Sequence, residues 1–189
     1  MEGIDLMRFL RMTLGFLTLA VAASAAQNLE FAATPYEAPA FLATFPVPDK
    51  NPTTYTSENV TLKNGGTATM HNYTLSIHND ADAFLVLYSD VPNIRGDATG
   101  LDLMLDGALA TMDNSKPGPK TDSIFSGLPA RTVTATGTYK NGQTTYSVTT
   151  YERIAVQGSR IWQGIVICDS RTNCSEGDAN KFFNSIKVR

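Results

Sequence analysis

The side chains best suited to chemistry are few in this chain. His71 and His78 stand seven residues apart. On one strand an odd separation sends them to opposite faces, so without a bulge they do not converge on one metal ion. Both read as surface or hairpin residues. No H-E-x-x-H and no G-x-S-x-G occurs, so neither the helical zinc-hydrolase pattern nor the nucleophile elbow is present. Members of a Ser–His–Asp triad meet only in space, and two histidines so placed give it little support. The acids Asp80, Asp82, Asp90, Asp97, Asp102 and Asp106 make a dense stretch. Calcium needs several converging oxygen ligands, and no EF-hand spacing is present. Turns, strand ends and a helix N-terminus account for that many aspartates. Nothing selects two of them as a glycosidase-like pair. No phosphate-cradling loop appears, because Asn64-Gly65-Gly66 and Gly127-Leu128-Pro129 serve turns. The residue types therefore predict no catalytic constellation, no metal and no cofactor.

Two cysteines remain, Cys168 and Cys174. Their spacing fits neither a zinc knuckle nor a C-x-x-C redox pair. In an exported protein an even count predicts a disulfide. Closing so short a loop is worth roughly 2–2.5 kcal/mol in the chain-entropy account. For recognition, the candidate surface is Tyr88, Asp90, Arg131, Tyr151 and Arg153, polar or aromatic residues in strands or at strand ends. The plainer reading makes them ordinary sheet residues, with Arg131 or Arg153 paired to an acid.

The elements that would carry these residues follow from periodicity. Tyr36–Phe45 reads as a first strand, stopped by Pro46 and Pro48. Tyr55–Leu62 and Thr67–Ile77 flank Asn64-Gly65, the strongest short hairpin signal. Phe84–Tyr88 is a short apolar run of the kind that fills a central strand. Leu101, Met104, Leu105, Ala108, Leu109 and Met112 then recur at helical spacing, with Thr99 as the expected cap. Asn114–Lys120, containing Pro117-Gly118-Pro119, reads as an exposed loop. Arg131–Tyr139 and Thr144–Val156 alternate around Asn141-Gly142, and Arg160–Ile167 is the most apolar strand. Ser175 opens a last helix, with Asp178 at its third position. The expectation is an α+β domain: a central, mainly antiparallel sheet of about six to seven strands, packed by two amphipathic helices.

The chain begins with an address. Arg8 and Arg11 precede the apolar run from Met12 to Ala22, and Ala23-Ser24-Ala25 supplies small residues for cleavage. That order is a secretory signal peptide, and the apolar run is shorter than the roughly 20 residues of a spanning helix. Glu2 and Asp5 offset the two arginines, so Met7 makes the better start. The expected organisation is a signal peptide over residues 1–25, a loose lead over 26–35 and one domain over 36–189, periplasmic or extracellular, with no transmembrane segment after cleavage. Residues 26–106 carry net charge −7 and residues 107–189 carry +4. The bases are scattered singly, which argues against nucleic acid as a partner.

The second half reads Gly127-x-Pro129-x-Arg131, then Tyr151-x-Arg153, Gly158-x-Arg160-x-Trp162, and closes with Phe182-Phe183-Asn184-Ser185-Ile186. With Ala43–Pro46 and Tyr88–Pro92, this resembles exported bacterial proteins that share the fold of PsbP, an extrinsic photosystem II subunit. The resemblance spans about residues 36–188. Ala130 departs from it, standing where bacterial relatives often have Gly. It implies a central antiparallel sheet between helices and a binding or assembly role rather than catalysis. The expected function is thus an exported, non-enzymatic domain that binds a protein or envelope component. The alternatives are a small extracytoplasmic hydrolase using acidic residues, and a binder of a small apolar ligand between helix and sheet.

Overall fold

The computed structural model describes residues 29–49, 52–61, 66–78, 80–141 and 144–189. The leader, and the Asn64-Gly65 and Gly142 turn positions, lie outside them. The strands are β1 (Tyr36–Glu37), β2 (Phe41–Ala43), β3 (Thr54–Thr61), β4 (Thr67–Ile77), β5 (Asp82–Asp90), β6 (Asp113–Pro117), β7 (Thr121–Phe125), β8 (Leu128–Asn141), β9 (Thr144–Gln157), β10 (Arg160–Asp169) and β11 (Lys187–Val188). Helix α1 (Ala98–Leu109) lies between β5 and β6, and α2 (Glu176–Ser185) between β10 and β11. One sheet has eight strands, in the order β3-β4-β5-β10-β9-β8-β6, with β7 also paired to β8. The second sheet is small, β1-β2-β11. Every strand pairing is antiparallel.

This corrects the expected α+β class. Strand makes up 56% of the described residues and helix 15%, so the fold is mostly β. The physical reason is where the long elements are. β8 and β9 run 14 residues each, whereas the helices have only 12 and 10. The stretch expected to loop out after α1 instead forms β6, which pairs with β8 as an edge strand. Pro117 is tolerated there because an edge strand leaves one side of its backbone unpaired. The first strand is also two strands: the chain reverses through Pro39, and Tyr36 comes to lie opposite Ala43.

Helix α1 is capped by Asp97, which accepts the Gly100 N–H at 2.7 Å, so Thr99 sits inside the first turn. A side chain at Gly100 would place Cβ 2.4 Å from the Arg95 carbonyl oxygen, so only glycine fits that approach. Helix α2 starts as expected, with a reciprocal capping box between Ser175 and Asp178.

Alternation along the central strands gives the sheet two apolar faces. On one, Phe84, Val86, Trp162 and Val166 pack beneath α2 and the small sheet. On the other, Val133, Ala135, Ile154 and Ile161 pack against Leu101, Leu105 and Leu109 of α1. That second face continues beyond α1 as Met70, Leu85, Leu87 and Ile165. The Cys168–Cys174 disulfide is formed, and it ties the end of β10 to the chain entering α2. Among the described residues, no helix is long and apolar enough to cross a membrane.

Candidate functional site

The five residues expected to form one surface are divided by the sheet. Tyr88 is buried, stacked on His71 with ring centroids 4.4 Å apart, and Arg160 lies 4.9 Å above its ring. Asp90 is exposed and takes Arg160 at 2.8 and 2.6 Å. The Arg160 hydrogen bond holds the Asp90 carboxyl below its ordinary range. Tyr151 and Arg153 share that face but lie towards α2. Arg153 is buried, donates to the Ile124 carbonyl and to Asn180 and Asn184, and stacks on Phe183. Its partners are neutral oxygens, and burial lowers its pKa. Arg131 is on the opposite face, held by Asp102 of α1 at 2.7 Å and Asp122 of β7 at 2.8 Å. The arrangement brings Tyr88 and Asp90 together through Arg160, and it separates Arg131 from the rest.

The histidines serve different networks. His71 is bonded to the Tyr55 hydroxyl at 2.9 Å. His78 lies past the end of β4 and contacts Asp82 at 2.5 Å. Asp82 is fully buried and also accepts the Asp169 N–H and the Thr172 hydroxyl, so it anchors the loop closed by the disulfide. Its carboxylate and both cysteine sulfurs lie within 4.8 Å of one another. The sulfurs are bonded to each other, so this cluster is structural.

A different place has the character of a site. Past the C-terminal end of α1, the second sheet face is left open over β9 and β10, forming a cavity of about 220 Å³. Leu109 and Met112 wall it from above, and Val148, Ile165 and Ile167 line its floor. Thr150 and Glu152 stand two residues apart on β9, so their side chains share this face. Asp113 and Lys140 also line the cavity, and both are exposed.

Glu152 is the anomaly. It is 2% exposed on a face that it shares with Ile154 and Ile165. Gln163, also buried, donates to its Oε2 at 3.1 Å. Burial pushes the Glu152 carboxyl up to about 8, against the opposing pull of the Gln163 hydrogen bond. At neutral pH it therefore holds its proton, and a neutral carboxyl both donates and accepts a hydrogen bond. Burial likewise raises the pKa of Tyr139, another lining residue. The arrangement combines apolar walls, Leu109, Met112, Val148, Ile165 and Ile167, with a hydroxyl and an un-ionised acid at the floor and charged residues among its lining. That combination suits a small apolar molecule with one polar group.

Sequence reasoning passed over Glu152. The signal was present: it alternates in phase with Val148, Ile154 and Val156, which puts a carboxyl on an apolar face. Gln163 carries the same signal between Ile161 and Ile165. No protein-family model matches the chain, and no curated protein matches it.

Proposed function

We propose that this protein is an exported, non-enzymatic binding domain whose ligand is a small, mainly apolar component of the envelope or its surroundings. The carrying observation is Glu152, a carboxyl kept un-ionised at the floor of the cavity beside Val148, Ile165 and Ile167. Burying such a group costs several kcal/mol unless it is partnered, and replacing it by an apolar residue would relieve that cost. Gln163 partners one carboxyl oxygen, and a polar group on a ligand would partner the carboxyl's own proton. The size fits: an engineered cavity of about 150 Å³ takes up benzene, so this one suits a substituted single ring.

Export is part of the proposal. It is supported by the leader pattern, by the disulfide and by the lack of a long apolar helix among the described residues. The resemblance to exported PsbP-like proteins favours binding over catalysis, because that superfamily consists generally of binding or assembly factors.

The hydrolase alternative would use Glu152 as a general acid, since its raised pKa is the feature such a group needs. It also needs a second carboxylate, and the other acid among the lining residues is Asp113, exposed to solvent. Thermal unfolding with added acetophenone or ethylbenzene tests the binding reading. Both raise the transition temperature of the wild type, and neither does so for Val148→Phe, which fills the floor of the cavity. No shift in the wild type would overturn the reading. Cleavage of an aryl ester or aryl glycoside by the wild type, lost in Glu152→Gln, would replace it with the hydrolase.

A further inference from the structure

The cavity contains a second irregularity. Thr150 donates its hydroxyl to the Met112 thioether sulfur, 3.6 Å away. Thioethers are weak acceptors, and Thr150 is 5% exposed, so a buried hydroxyl is left with an inferior partner. Met112 reaches this position because of a notch in β8. A Cβ at Gly137 would lie 2.8 Å from the Met112 Cγ and Sδ, so the side chain rests in the space that the missing Cβ leaves. An unbranched thioether side chain changes rotamer readily. Met112 thus resembles a movable plug over the hydroxyl more than a fixed part of the wall.

We propose that the ligand carries one uncharged acceptor oxygen, as in an aryl ketone or ester, which replaces the Met112 sulfur on Thr150 and accepts a hydrogen bond from the Glu152 carboxyl. This deepens the binding reading and rests on it. Thr150 and Glu152 project from alternate positions of one strand, so two donors face the same chamber. A carbonyl oxygen has two lone pairs to meet them. An ammonium group would demand an ionised Glu152 where burial opposes ionisation, and Lys140 lines the same cavity. A plain hydrocarbon would leave both donors without an acceptor of its own.

Calorimetric titration at pH 6 with acetophenone, ethylbenzene and benzylammonium tests this. Acetophenone binds about fivefold to thirtyfold more tightly than ethylbenzene, as one or two added hydrogen bonds require, and benzylammonium does not bind. Thr150→Val weakens acetophenone about fivefold and leaves ethylbenzene unchanged. If Thr150→Val does not fold, Met112→Leu serves: it removes the competing sulfur, and acetophenone gains on ethylbenzene. Equal affinity for acetophenone and ethylbenzene, or tighter binding of benzylammonium, overturns the acceptor-oxygen inference while the cavity remains a binding site. Failure of all three to bind overturns both.

Discussion

Substituting Glu152→Gln removes one titration and keeps the shape of the side chain. In the unfolded chain this carboxyl ionises around 4.5, and in the folded protein it holds its proton up to about 8. The folded state therefore binds the proton more tightly, so wild-type stability falls as pH rises from about 4.5 and levels off above about 8. Each pH unit in that window costs about 1.4 kcal/mol. The wild type thus loses about 3 kcal/mol between pH 4.5 and 7, and about 4–5 kcal/mol by pH 9, relative to the variant. The amide introduced by the substitution still accepts from Gln163, so the variant retains the contact at the floor. Urea unfolding of both proteins at pH 5, 7 and 9 measures the difference. Other titrating groups, His78 among them, are common to both proteins and cancel. A wild-type-minus-variant difference that stays flat from pH 5 to pH 9 would refute the claim that Glu152 is buried and un-ionised.

Three further outcomes follow from the packing and the charges. His78 has its pKa raised above the ordinary 6.5, chiefly by the hydrogen bond to Asp82, so its stabilising effect is complete below that value and is lost as pH rises through the folded-state value. The stability advantage of wild type over His78→Gln, measured by urea unfolding, should therefore shrink between pH 6 and pH 9; an advantage that grows contradicts the assignment. Gly164→Ala brings a Cβ to 2.9 Å from the Phe183 ring and 3.0 Å from Phe125, both buried, and should cost about 1–3 kcal/mol by overpacking in the same assay. Replacing Cys168 and Cys174 together by Ala opens a short loop and should cost about 2 kcal/mol, seen as a lower urea midpoint, with reduction of the wild type having a similar effect.

Much of the framework was legible because it is local. Alternation marked β4, β8 and β9, and the Ser175–Asp178 pair marked the start of α2. What escaped depends on contacts between distant segments. Residues 113–117 carry no strand pattern of their own, and they become β6 because β8 extends far enough to pair with them. The amount of strand was underestimated for that reason, and with it the class of the fold. Arg131 was one of the two arginines read as candidates for pairing with an acid, and it is so paired, whereas Arg153 is held by carbonyl and amide oxygens that only the docking of α2 brings near. The cavity was the least legible feature. It exists because α1 ends before it has covered the sheet face, and no periodicity shows where one element stops short of another. The phase of Glu152 was the one readable trace of it.

The central claim is that this cavity takes up a ligand. The most direct measurement is a two-dimensional methyl NMR spectrum of the protein, labelled at methionine and isoleucine, during titration with acetophenone. Saturable shifts should appear at Met112, Ile165 and Ile167, which line the cavity, and should be absent at Ile186, which is packed on the other sheet face. No shift at the three cavity methyls, or shifts confined to the face beneath α2, would contradict the account.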